Sequence, residues 1–474
     1  MPVDPRAPCI IGVARRTWRE EPAPEPLEMW ETLARQAATD AGAPSALVGL
    51  QSLQIVFSQS WEYDDPCARL AQRLGAEPAT SAYSGLGGSV PVRLAAEAAG
   101  SMARGELDLA LIVGAEALAT RRHLPDPSWS FPPVEPRPYP ISIDRQERKN
   151  GIFQAYLTFA LLDTARRGHL GQSLGDRREE LGRLMAPMSV IAAGQPEFAW
   201  FPIARTPGEI STATPDNRMV ATPYTKLMTA IMDVDMAAAV LLATESRADA
   251  LGVPRDQRVY LHGAGTADEP STMASRPEPW RSPAMAAAMR AALGPTSVDE
   301  VGHLDVYSCF ASSLSFACDA LGVRASDRSL TVTGGLPYHG GPGSNYSTHA
   351  LAAMTEVLRR DPGTFGLVSG VGMHMTSHSA SLWSTRPGGY IPSEPAAPLP
   401  TVPMATDASG PATVVTFSTV HNRQGPEWTA LICELRDGSR SYARLEEPAP
   451  ADDDLVGRTV TLAPSDKGAT SARL

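Results

Sequence analysis

Apolar positions Val92, Leu94, Ala95, Ala98, Ala99 and Met102 recur at the spacing of one helix face. They predict an amphipathic helix directly behind the glycine-rich stretch YSGLGGSVP, residues 83–91. The run LDLALIVGAEA that follows (107–117) is almost continuously apolar, the pattern of a strand buried on both faces. The same order returns later. A glycine turn at 340–343 leads into a helix predicted from about Ser347 to Arg360, and FGLVSGVG (365–372) is a second buried strand. From turn to strand-end glycine is 26 residues in one copy (Gly88 to Gly114, 114 − 88) and 29 in the other (Gly341 to Gly370, 370 − 341). A strand candidate precedes each turn, LQSLQIVFSQS in the first half and VGHLDVYSCFASS in the second. Matching order and similar length predict a two-fold pseudosymmetric α/β architecture.

Between the copies, residues 120–225 are rich in proline, arginine and polar side chains. LPDPSWSFPPVEPRPYP is a loop by composition, and QERKNGIFQAYLTFALLDTARR predicts one helix. From about Pro395 the pattern changes to short alternating or β-branched runs, ATVVTFSTVHNR, EWTALICELRDGSRSYARLEE and GRTVTLAP, separated by turns. These predict a small antiparallel barrel, with SDKGATSARL as a loose tail. The expected organisation is a first half over 1–245 carrying the 120–225 insertion, a second half over 246–395, and a barrel over 396–474.

The net charge of −11 argues against a nucleic-acid-binding surface. The most apolar stretch, LMTAIMDVDMAAAVLLAT, is interrupted by Asp233 and Asp235, so no membrane span is expected. MPVDPRAPC carries no signal-peptide pattern. Cys9, Cys67, Cys309, Cys318 and Cys433 form no CxxC pair, which suggests neither a metal site nor a disulfide framework. A cytoplasmic location is the corresponding expectation.

Five stretches resemble the thiolase superfamily, in the branch close to sterol-carrier-protein thiolases: PCIIGVA, the first glycine turn with its helix, NRMVATPYTKLMTAIMDVDMAAAVLL, DVYSCFASSL and GGLPYHGGPGSNYSTHA. The resemblance covers roughly residues 7–390. It implies a five-layer αβαβα core of two repeated halves, acyl-CoA or a related acyl thioester as ligand, and a monomer or homodimer. Coenzyme A is then the carrier of the substrate, and no other cofactor is implied. The terminal barrel is similar to the oligonucleotide/oligosaccharide-binding-type domain attached to, or partnered with, some thiolase-like proteins.

The family's catalytic positions are altered. The nucleophilic cysteine position falls on Gly88, with Ser89 beside it as the expected helix N-cap and Pro91 in the first turn. The Gly-His-Pro histidine position is Gly341, and His339 lies two residues earlier. The third motif reads YSCF, placing Tyr307 where the branch has histidine, while Cys309 matches a residue the branch already has. Val368 or Ser369 replaces the last cysteine, and His374 and His378 follow; His349 is expected to pack or cap locally. By resemblance the candidate catalytic residues are Tyr307, His339 and His374. Gly88, Ser89, Gly341 and Ser369 are candidates for oxyanion and acyl binding, and Arg183 and Trp200, in and beside 185–202, for coenzyme A. Ordinary thiolysis is not expected without the thiol. Two functions stay open: carbon–carbon bond or acyl-transfer chemistry without a cysteine acyl-enzyme, and a catalytically inactive acyl-CoA-binding or scaffold subunit.

Overall fold

The computed structural model describes residues 3–124, 129, 143–388, 390, 392, 396–450, 453–465 and 468–474. The proline-rich stretch 124–140 thus lies almost wholly outside the described residues. Strands β1 (Pro8–Thr17), β2 (Ser52–Ile55), β3 (Thr80–Tyr83) and β4 (Leu109–Ala117) precede two short strands, β5 (Met219–Ala221) and β6 (Tyr224–Thr225), and then β7 (Asp235–Thr244). The second half supplies β8 (Val259–Asp268), β9 (Val301–Asp305), β10 (Phe365–Gly372) and β11 (Ser377–Ser384). One sheet runs β3-β2-β4-β7-β1-β8-β11-β10-β9. Its two wings repeat each other. β2 pairs parallel with β4 as β9 does with β10, and β4–β7–β1 is antiparallel as β10–β11–β8 is. The wings join where Cys9 and Ile10 pair with Tyr260 and Val259.

The predicted helices form the layer between the wings. Val90–Ala103 packs on β10 and β11 of the opposite wing, Tyr346–Arg360 packs on β7 and β1, and the two helices touch. Outside, Pro26–Asp40 covers β1, β4 and β7, and Pro283–Leu293 covers β8 and β11, completing αβαβα. Glycines make these approaches close: a Cβ at Gly12 would strike the Ala37 carbonyl, and Cβ atoms at Gly263 and Gly265 would strike those of Ala292 and Ala288. The two outer helices use the same device, as a duplicated unit would.

β12 (Gly410–His421), β13 (Pro426–Leu435), β14 (Arg440–Leu445), β15 (Thr459–Pro464) and β16 (Thr470–Arg473) close into a five-stranded barrel, since β12 pairs with both β13 and β15. The tail expected to be loose contributes β16, which pairs Arg473 with Thr461 and Thr470 with Pro464. The Thr470 N–H also donates to Asn150 Oδ1 at 3.0 Å. The barrel is fused to the larger body. Val420, Ala430, Ile432 and Tyr442 belong to the main core, while Val414, Phe417, Leu431 and Val460 fill the barrel's own. Buried Glu147 accepts from Tyr442 Oη and from the Met273 N–H at 3.1 Å, and Tyr442 Oη accepts from the Ala274 N–H at 2.9 Å.

This docking explains a departure from the sequence pattern. The helix expected over 146–167 is broken into Arg145–Lys149 and Ala155–His169. Gly151 has φ +72, and barrel residues Arg444 and Trp428 crowd its Cα, the nearer at 3.1 Å from where a Cβ would stand. Periodicity along one segment does not register a neighbour arriving from residue 428 or 444.

Candidate active site

The first glycine turn is held by the second half of the chain. The Gly87 N–H donates to Ser344 Oγ at 2.9 Å, the Gly88 carbonyl accepts from Ser347 Oγ at 2.7 Å, and the Ser89 carbonyl accepts from Ser379 Oγ at 2.8 Å. Gly370 of β10 lies directly beneath, a Cβ there coming within 2.7 Å of the Gly88 oxygen and Ser89 Cα. Ser89 occupies the N-cap position, but its hydroxyl does not cap the helix; it lies 3.1 Å from Ser377 Oγ. Among the described residues the N–H groups of Gly88 and Ser89 donate to no acceptor, as expected of the orphan donors at a helix start.

Tyr307 follows β9, and its N–H donates to Ser369 Oγ at 3.0 Å. Its ring stands edge-on to Tyr346, 5.6 Å between centroids at 85°. Tyr346 Oη in turn donates to buried Asp305 at 2.9 Å, and Asp305 also binds Thr331, Val332 and Thr333. The tyrosine is thereby aimed at the first-half turn: a Cβ at position 88 would overlap its Oη. The phenol occupies the space into which a side chain on residue 88 would project. Burial raises the Tyr307 pKa well above the ordinary phenol value, with Cys309 adding to the rise, so Tyr307 is a proton donor at neutral pH and not a phenolate.

A cleft of about 260 Å³ opens at this point. Of the sequence candidates, Gly88, Tyr307, Gly341 and His374 line it; Ser89, His339, Ser369, Arg183 and Trp200 do not. Ser369 stands behind Tyr307 and positions its backbone. His339 is fully buried under the second turn, its ring 5.3 Å from that of His349. Among the described residues, all four ring nitrogens of the two lack a hydrogen-bond partner. Burial and the Arg15 cation hold His339 down to about 3. His349 therefore packs, but its ring caps nothing. The Trp200 N–H donates to the His339 carbonyl at 2.7 Å, which ties Trp200 to this turn. Arg183 is an exposed residue of the Leu174–Ala193 helix, 3.5 Å from Glu179.

His374 sits between Met373 and Met375, both at positive φ (55° and 56°), a conformation that costs a non-glycine residue energy and marks an over-determined turn. Its carbonyl accepts from the buried Arg276 guanidinium at 2.9 Å, and Arg276's own carbonyl accepts from barrel residue Arg440 at 2.6 Å. Burial and the Arg276 charge lower the His374 imidazole to about 4, so it is neutral at physiological pH. Cys309 is the cysteine in the cleft; burial pushes its thiol up to about 12, leaving no thiolate to attack. Cys67 is buried in the core cluster around the Pro26–Asp40 helix and does not line the cleft. No group of three or more His, Cys, Asp or Glu among the described residues could hold a metal ion.

Three contributors escaped the sequence pattern. Gln59 and Ser344 line the cleft from turns with no distinctive spacing. Glu116, next to last in β4, is fully buried against the Gly343 Cα, accepting from the Gln59 and Ser60 N–H groups at 2.8 and 3.0 Å, and burial raises it to about 7. A carboxylate inside the apolar run LDLALIVGAEA was the visible signal for it.

No family model and no curated protein matches the chain. Solved structures do. The crystal structure of a monomeric SCP2-thiolase-like protein type 1 from Mycobacterium smegmatis is 31% identical, covers 100% of both chains and superposes with a TM-score of 0.88. An Ltp2–ChsH2(DUF35) aldolase is 17% identical over 80% of this chain and 98% of its own, TM-score 0.63. The acetyl-CoA acetyltransferase of Syntrophomonas wolfei is 15% identical over 81% of this chain and 100% of its own, TM-score 0.59. The last two likenesses are of fold.

Proposed function

The chain belongs to the SCP2-thiolase-like proteins of the thiolase superfamily, and from that premise we propose that it binds an acyl thioester in the Gly88–Tyr307 cleft and acts on the carbon–carbon bond beside the carbonyl without an acyl-enzyme. One observation carries this reading: the Tyr307 phenol fills the place at the helix tip where a residue-88 side chain would stand. The orphan N–H group of Gly88 and the Tyr307 hydroxyl are two donors that a thioester oxygen could share as it takes up negative charge. A retro-aldol or Claisen-type step needs such stabilisation of an enolate, and it needs no nucleophilic sulfur. Neutral His374, in the same cleft, is the group able to accept the proton. Coenzyme A serves as the carrier of the acyl group, and no further cofactor enters. The Mycobacterium smegmatis relative is described as monomeric, and we take this chain to act as a monomer as well.

Acyl-CoA thioesters are expected to raise the melting temperature, since a ligand selective for the folded state stabilises it. Tyr307→Phe should keep that shift and lose turnover by about 100-fold. Undiminished turnover in the variant removes Tyr307 from the mechanism. A second reading, an acyl-CoA-binding protein without catalysis, is favoured by the low basicity of His374. It predicts a thermal shift with no turnover on any carbon–carbon substrate.

A further inference from the structure

The cleft lining separates by chemistry. Its polar groups gather at the two glycine turns, with His374 apart from them: Ser344 bonds the Gly87 N–H, Gln59 Nε2 lies 3.2 Å from where a Gly343 Cβ would stand, and Tyr307 reaches Gly88. The remainder is largely apolar and comes mainly from the inserted region and the second half, with Phe153, Phe159, Met232, Phe310 and Leu336 facing the space. Phe159 and Phe310 pack at 4.7 Å between centroids, tilted 35°, and form an aromatic wall. No lysine, arginine, aspartate or glutamate among the described residues lines the cleft. His374 also lines it but is neutral, so a charge at the far end of an acyl chain would be buried without a counter-ion.

Volume sets the length. An apolar cavity of about 150 Å³ accommodates one benzene, so 260 Å³, which must also hold the thioester carbonyl, accommodates an acyl group of about eight to ten carbons. Resting on the proposal above that the cleft is an acyl-thioester site, we infer that its acyl substrate is uncharged and apolar, a medium-length chain or a single ring of about eight to ten carbons, seated against Phe159 and Phe310. Phe153 and Met232, 41% and 44% exposed, form the apolar rim. Carbons beyond that length pass the rim into water and add little.

The test is the dissociation constant for a series of coenzyme A thioesters: acetyl, butyryl, octanoyl, phenylacetyl, palmitoyl, succinyl and glutaryl. Affinity should tighten by up to about fourfold per added methylene, level off at about eight to ten carbons, and include phenylacetyl among the tighter ligands. Succinyl should bind at least about 100-fold more weakly than butyryl. Ala230→Phe, which narrows the cleft, should move the plateau to shorter chains, and its melting curve reports whether it folds. If affinity keeps rising to palmitoyl, is independent of chain length, or is equal for succinyl and butyryl, the inference is overturned while the thioester reading survives. If no thioester binds, both fall.

Discussion

Residue 88 and residue 307 are one structural decision. Glycine at 88 gives Tyr307 its place, and the tyrosine closes the space to any Cβ. Gly88→Ala is expected to destabilise the wild-type protein by about 2 kcal/mol through overpacking, and to cost much less in a Tyr307→Ala background. The double-mutant cycle from denaturant unfolding measures that coupling, and additive effects would show that the two sites do not compete. For the same reason Gly88→Cys should not restore thiolysis. Histidine ionisation sets a second expectation. Burial, joined by Arg276 or Arg15, holds His374 at about 4 and His378 and His339 at about 3, against about 6.5 in an unfolded chain. Their folded values are depressed, so the neutral forms support folding above about 6.5 and that support is lost as pH falls toward 4, at up to about 1.4 kcal/mol per histidine per pH unit. Glu116 is raised to about 7 and has the opposite sign, its contribution being lost as pH rises through that value. Melting temperatures from pH 7 to pH 5 should fall less steeply in His374→Gln than in the parent; identical slopes would mean that His374 is not neutral and buried in the folded state.

Among elements, the decisive contact is the tip of the Val90–Ala103 helix on β10. Gly370 allows the Gly88 carbonyl and Ser89 Cα to rest on the strand. Gly370→Ala should therefore lower stability by about 2–3 kcal/mol and weaken acyl-thioester affinity together, because lifting the helix tip moves the orphan Gly88 N–H out of the cleft. Calorimetry and ligand titration on the same variant check both; a stability loss with unchanged affinity would separate the tip from the binding site. The helix, both buried strands and the repeat order were legible because each follows a local period. The split of the 146–167 segment and the pairing of the tail were not. The first depends on barrel side chains hundreds of residues away, Arg444 and Trp428 against Gly151; the tail pairs with neighbouring β15 and is tied down by the distant Asn150 side chain.

At the scale of the whole molecule the barrel and the thiolase-like body share a core. Ile432 and Tyr442 face inward to the larger body, and Arg440 and Arg276 carry the connection on to the His374 turn. Unfolding should be a single transition, and an isolated 396–474 fragment, with that apolar face uncovered, should not hold a stable fold. Two separated calorimetric transitions would contradict this. Tyr442→Phe leaves the Ala274 N–H without its acceptor and removes one of the donors to Glu147, and should cost about 2 kcal/mol. Among the described residues no helix is long and apolar enough to cross a membrane, in agreement with the interrupted apolar stretch at 227–244.

The sequence by itself determined the duplicated α/β architecture, the terminal barrel and a first glycine turn without cysteine, because periodicity and residue identity are local properties. Candidate positions in the motif stretches reached the cleft where the motif backbone itself lines it, as at Gly88, Tyr307, Gly341 and His374. Only the tertiary structure decided which side chains face one another. It buried His339 beside His349, left Arg183 on the surface, brought Gln59 to the cleft, set Glu116 behind it, and filled the space beside Gly88 with a phenol. Those outcomes depend on the angle at which the two halves close on each other, and no run of consecutive residues encodes that angle.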